Sequence, residues 1–127
     1  MKYDEFLAKV QERGDLPGRD ESERAVRSAL GLLGRRLTGG ESDDVASQVP
    51  EELMPLLLVS DEPEPIGPEQ FLDRLGEDTG ADRESARRTA AAVLTTLAEG
   101  ITEGQLRHIL SQLPSGYAEF FGKPEPT

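Results

Sequence analysis

Residues 38–50, TGGESDDVASQVP, and residues 102–114, TEGQLRHILSQLP, agree at Thr, Gly, Ser, Gln and Pro with a constant offset of 64 positions. Self-similarity at a fixed period marks a structural unit used twice, and it restricts the fold more than any composition figure does. The register continues outside the quoted segments: Leu30 aligns with Leu94 and Leu33 with Leu97 at the same offset, while Phe6, Leu7 and Val10 align with Phe71, Leu72 and Leu75 at 65. The change of offset places a one-residue length difference in the loop where GDLPGRD corresponds to EDTGAD.

Each copy reads as helices. Tyr3, Phe6, Leu7 and Val10 fall at i, i+3, i+4 and i+7, the stripe of an amphipathic helix that should stop near Gly14. Asp20 is placed to cap a second helix, 20–37, carrying Val26, Ala29, Leu30, Leu33 and Leu37. Thr38 with Glu41 three residues on forms a capping-box pattern, which predicts a short third helix with Ser42, Val45, Ala46 and Val49 inward. Pro50 then opens a fourth, because its missing N–H costs nothing at the first helical position, and Pro55 limits its regularity.

In the second copy Asp82 caps a long helix over 82–98 with Ala86, Ala90, Val93, Leu94 and Leu97 inward. Thr102 and Gln105 repeat the cap, Leu106, Ile109, Leu110 and Leu113 repeat the inward set, and Pro114 matches Pro50.

A helical unit of about 55 residues seldom buries enough apolar surface to stand alone, so the two copies should dock. The predicted fold class is all-α: two homologous helical repeats packed into one compact helical bundle, with the two long helices forming the central contact. Residues 1–127 then make a single domain, with repeat 1 at about 3–58 and an acidic Pro-rich linker at about 59–67. Repeat 2 covers about 68–121, and 122–127 form a frayed tail.

Arg36 to Glu41 leading into Ser47-Gln48-Val49-Pro50, after a Phe-Leu helix and a long Ala/Leu/Arg helix and before a second copy ending in Leu113-Pro114, resembles the bacterial proteins known as domain of unknown function 2267. The likeness spans residues 3–121. It implies a small, mostly helical, soluble bacterial protein with no assigned activity and no established catalytic residues. One departure from the internal match is Ser42, which stands where the second copy has Leu106.

Charge narrows the partners. With 25 acidic against 14 basic residues the net charge is −11, which repels phosphate backbones and anionic membrane surfaces over a Debye length of about 8 Å. The expectation is no nucleic acid and no membrane. Arg24, Arg27, Arg35 and Arg36, and again Arg83, Arg87 and Arg88, are interleaved with acids and read as solvated helix faces with local ion pairs. With no cysteine there is no disulfide framework and no thiol nucleophile. A cytoplasmic setting is expected, since the N-terminus shows no signal-peptide pattern.

The residues that could carry chemistry are few. His108 is the single histidine; it could pair with Ser111, oriented by Glu99 or Glu103, but flanked by inward Leu106 and Ile109 it reads as an outer-face residue. The carboxylate pairs Asp43/Asp44, Glu51/Glu52 and Glu77/Asp78 are adjacent in sequence, so on a helix they diverge by about 100° and form no dyad. Neither a calcium loop nor a phosphate-binding Gly-rich motif is present. No catalytic, cofactor-binding or metal residue is assigned, and no cofactor.

Gln48 and Gln112, repeated ahead of a proline-led helix, read as caps for exposed backbone groups, with a binding groove as the lesser reading. Gly31 and Gly34 within the long helix cost about 1 kcal/mol each against Ala, which asks for a close contact by the other half or a partner, or simply for a crowded fit.

The sequence therefore points to an uncharacterised helical protein, more naturally a non-enzymatic protein-interaction module than an enzyme. A basic partner is favoured by the acidic balance, with self-association as a separate reading. The alternative is a small-ligand-binding protein or enzyme with a pocket between the two repeats.

Overall fold

The computed structural model describes residues 1–37, 39–58 and 62–123. Among these the secondary structure is helical throughout, with no strand. The elements are α1 (Tyr3–Arg13), α2 (Arg19–Arg36), α3 (Gly39–Ala46), α4 (Met54–Leu57), α5 (Pro68–Thr79), α6 (Arg83–Gly100) and α7 (Glu103–Gln112), with 3₁₀ turns at Glu51–Leu53 and Ala118–Phe121.

Local signals set most boundaries. Helix α1 ends at Gly14, and α5 ends at Gly80, whose φ of 72° lies in the left-handed region that favours glycine. Pro68 opens α5 at the first helical position, and the Gln70 side chain accepts from the Gly67 amide at 3.0 Å. Asp82 caps α6 by accepting from the Ser85 amide at 2.8 Å, and Thr102 caps α7 by accepting from the Gln105 amide at 3.1 Å.

Two expected caps differ. Helix α2 begins at Arg19 behind Gly18, whose carbonyl accepts from the Ser22 amide, so Asp20 lies inside the first turn, where its charge complements the helix dipole. Pro50 precedes its helix in extended backbone, and Pro55 permits only a 3₁₀ turn followed by one turn of α4. The proposed Thr38 cap lies outside the described residues.

The core draws on every helix. Phe6, Leu7 and Val10 of α1, Val26, Ala29, Leu30 and Leu33 of α2, Phe71, Leu72 and Leu75 of α5, and Ala90, Val93, Leu94 and Leu97 of α6 are all buried in one cluster. Helix α1 packs on α6 as well as on α2, and α5 packs on α2 as well as on α6. This corrects the expectation that the two long helices carry the central contact. They do touch, but each also receives the first helix of the other half, α1 on α6 and α5 on α2, so four helices share the centre.

Polar contacts tie the same seam. Arg13 Nη1 donates to the Thr96 hydroxyl at 3.0 Å and its Nη2 pairs with Glu99 at 2.7 Å, which holds the Glu99 carboxyl below the usual carboxylate range. Within the first half, the buried Ser22 hydroxyl of α2 donates to the Leu7 carbonyl of α1 at 2.7 Å.

An aromatic cluster closes the far end. Phe71, Tyr117 and Phe120 meet with ring centroids 5.7–6.0 Å apart. The buried Tyr117 hydroxyl donates to the Ile66 carbonyl at 2.6 Å, and burial pushes its pKa up. Tyr117, Phe120 and Phe121 are thus core residues. Ile66 is buried with them, although it stands in a stretch read as solvated linker: extended backbone aims one isolated apolar side chain inward, and the Glu64 amide anchors it to the Arg35 carbonyl at 2.7 Å. Residues 59–61 of that linker and 124–127 of the tail lie outside the described residues.

Candidate functional site

Three places on this bundle bring polar or apolar groups together in ways that could serve binding. The first is the seam between α3 and α7. Here Glu41, a buried carboxylate, accepts from the Gln105 side-chain amide at 2.5 Å and meets His108 Nδ1 at 3.3 Å. One turn away the Gln48 side chain, reaching from the end of α3, accepts from the Thr102 amide at 2.9 Å. Gln48 is therefore a cap, as its position suggested. The helix it caps is α7, in the other half of the chain.

His108 does not stand in a nucleophilic constellation. Its side chain is 74% exposed, and the Ser111 hydroxyl donates to the His108 backbone carbonyl at 2.7 Å instead of to the imidazole. Glu99, one of the two acids considered for it, is held by Arg13 and Lys9. The acid that does reach His108 is Glu41, which the sequence had offered only as a capping residue. A signal existed: Glu41 and Gln105 occupy the same place in the two similar segments, 64 apart, and residues that face their own counterparts sit where the two halves meet. Among the described residues no group of three or more metal-binding side chains is assembled.

The second place is an apolar groove of about 400 Å³ at the C-terminal end of α7, lined by Leu110, Leu113, Pro114 and Ala118 with Ser111, Ser115 and Arg107 at its edge. Leu110 and Leu113 are only partly covered, so their apolar surface faces the groove. Its lining carries no carboxylate. Gln48 and Glu41 contact the other part of the same helix.

The third is a cleft of about 410 Å³ between the halves, where the loop after α1 meets the loop after α5. Arg24 of α2 and Arg88 of α6 line it, with Glu21, Asp82 and Ser85. The Ser85 backbone amide, and then its side chain, hold the Asp82 carboxyl below its usual range. Asp15 on the lip has φ 53°, a left-handed conformation that Asp tolerates better than most residues. His108 is not in the lining of this cleft; it lies on α7 against Glu41.

The glycines of α2 divide cleanly. A Cβ on Gly34 would lie 2.7 Å from the Leu56 carbonyl oxygen and 2.9 Å from Leu57 Cα, so Gly34 admits α4 of its own half. Nothing stands within 4 Å of a Cβ on Gly31.

No helix among the described residues is long and apolar enough to cross a membrane. Comparison with curated proteins gives no match. A family model described as an uncharacterized conserved protein, DUF2267, matches residues 3–120, nearly the whole bundle from the start of α1 to the last 3₁₀ turn. With its helices, caps and paired Gln-x-Pro segments all inside that span, the chain belongs to the DUF2267 family of uncharacterized conserved proteins.

Proposed function

We propose that the protein is a non-enzymatic interaction module whose apolar groove at the end of α7 receives a protein segment bearing one or two apolar side chains and net positive charge. The observation that carries this reading is the groove itself: about 400 Å³, apolar on its floor, bounded by partly exposed Leu110 and Leu113 and free of carboxylates in its lining. The net charge of −11 would steer a basic segment toward the molecule, and the apolar floor would supply the adhesion.

Panning a random peptide display library against the full chain tests this. Selected peptides should be enriched in a basic residue near an apolar anchor, and they should lose binding to Ser111→Arg and Ser115→Arg variants, whose bulk and positive charge at exposed positions obstruct the groove and leave the core intact. Selection of no peptide above background, or of peptides indifferent to both variants, would remove the reading.

The bundle itself is read as two copies of one helical unit related by a local two-fold axis. Support comes from the reciprocal packing of α1 on α6 and α5 on α2, and from the Glu41–Gln105 contact between equivalent positions. Two copies let one build a platform while the other's groove diverges. In the first copy the position of Leu110 is taken by Ala46 and that of Arg107 by Asp43, so that copy lacks two of the side chains that line this groove.

A further inference from the structure

The chain has an acid excess, and among the described residues five of its eleven arginines pair with carboxylates: Arg13 with Glu99, Arg19 with Asp4, Arg74 with Glu64, Arg83 with Glu69 and Asp73, Arg87 with Glu69. Arg24 and Arg88 are not among these five. Among the described residues neither has a carboxylate within ion-pair distance; Arg88 approaches the Ser85 hydroxyl at 3.5 Å and acts on the Asp82 carboxylate from farther off. Yet these two arginines, one from each half and at equivalent places on α2 and α6, line the same cleft. Both are exposed, as the reading of a solvated helix face has it, but the local ion pairs expected for them are not formed among the described residues.

A guanidinium is a fork of donors matched to a carboxylate, and two of them facing one cavity are a receptor for an anionic group. The remaining charges limit which anion. Glu21 and Asp82 line the cleft and Asp15 stands at its lip, so a multiply charged anion would meet repulsion, whereas a ligand carrying its own cation would not. Leu16, Pro17 and Ala81 add an apolar wall. The volume of about 410 Å³ lies at the small-molecule end of ligand sites.

We infer that the cleft between the halves binds a small zwitterion of the amino-acid or dipeptide class, its carboxylate on Arg24 and Arg88 and its ammonium toward Glu21 and Asp15. This site is separate from the α7 groove and stands or falls without it.

The test is a titration of the full-length chain, followed by backbone amide NMR, with alanyl-alanine, with N-acetyl-alanyl-alanine and with inorganic phosphate. Alanyl-alanine should shift the amides of Gly14, Gly80 and Ser85 saturably. Arg24→Gln and Arg88→Gln, both at exposed positions, should each weaken that binding by about tenfold while leaving the spectrum of the free protein folded. Acetylation removes the ammonium and should weaken it as well. No saturable shift with alanyl-alanine, equal binding of phosphate and dipeptide, or shifts that persist in both arginine variants would each overturn the assignment.

Discussion

Replacing Gly34 and Gly31 by alanine, one at a time, gives two variants of identical chemistry on the same helix with opposite expected outcomes. In both, alanine restores about 1 kcal/mol of helix propensity, because glycine loses more backbone freedom on folding. At Gly31 that is the whole effect, since an added methyl meets nothing within 4 Å, and the variant should be more stable by about 0.5–1 kcal/mol.

At Gly34 the methyl would overlap the Leu56 carbonyl oxygen at 2.7 Å and Leu57 Cα at 2.9 Å. These are backbone atoms and cannot rotate away, so α4 must shift as a unit. Overpacking of this kind costs about 1–3 kcal/mol, and moving α4 also loosens buried Leu57 and Leu53, each contributing about 1.5–3 kcal/mol through burial. A fraction of that loss, added to the overlap and set against the propensity gain, leaves Gly34→Ala destabilised by about 1–3 kcal/mol.

The two variants should therefore lie about 2–4 kcal/mol apart, a large share of a total stability on the order of 5–15 kcal/mol. Urea unfolding followed by circular dichroism at constant slope resolves such a gap, and melting midpoints should separate by roughly 4 °C for each kcal/mol. If Gly34→Ala were as stable as Gly31→Ala, the close approach of α4 would not be what holds a glycine at position 34, and the packing argument would be wrong.

Removal of the cross-half cap by Gln48→Ala should cost about 0.5–2 kcal/mol in the same assay and speed amide exchange at Thr102, with no effect on α1; unchanged exchange there would contradict the capping role. Acid should destabilise the protein through Asp82 and Glu99. Their folded values are depressed, so their contribution is complete above the ordinary carboxylate range, near 3.8 and 4.5, and is lost as pH falls through the lower folded values; Arg13→Gln should flatten the Glu99 part of that decline. For Tyr117 the sign is opposite: a phenol raised by burial contributes fully below its ordinary value of about 10 and loses that contribution as pH rises beyond it. Tyr117→Phe should cost about 1–2 kcal/mol at neutral pH by stranding the Ile66 carbonyl, and should blunt the alkaline loss seen in pH-dependent melts. Residues 1–58 expressed alone should show little helical signal, because Phe6, Leu7 and Val10 lose α6; a cooperative melt from that fragment would refute the dependence.

Helical periodicity made α1, α2, α5, α6 and α7 legible because each carries a stripe long enough to fix both its type and its inward face. Gln48 was legible as a cap, but its target was not, since a side chain that satisfies an amide 54 residues away leaves no local trace. Glu41 was assigned to its own helix for the same reason: capping chemistry is local, while its partners Gln105 and His108 come from α7. The cleft lined by Arg24 and Arg88 was hidden because charge patterning sees neighbours along one helix, and each arginine has acids near it in sequence that it does not contact. Aromatics were better served: few rings in a Leu-rich chain have nowhere to go but the core, and Tyr117, Phe120 and Phe121 went there.

The polar contacts between the halves bear on more than stability. Helix α7 is ten residues long, too short to persist in water by propensity alone, so it depends on tertiary contacts. Two of those come from the first half, the Gln48 cap at its N-terminus and the Glu41 contacts on its flank, and Leu106 and Ile109 anchor its inner face. The apolar groove lies at the other end of this helix, so its floor is expected to form only when the halves are docked. Coupling of that kind converts the seam into part of the binding surface: a substitution at Gln48, which touches no groove residue, should weaken a groove ligand by the fraction of molecules in which α7 has come loose. A loss of affinity in Gln48→Ala that matches its measured loss of α7 protection would tie the two ends of the helix together quantitatively, whereas full affinity with a frayed Thr102 end would show that the groove is built by the last turn of α7 and the turn after it alone.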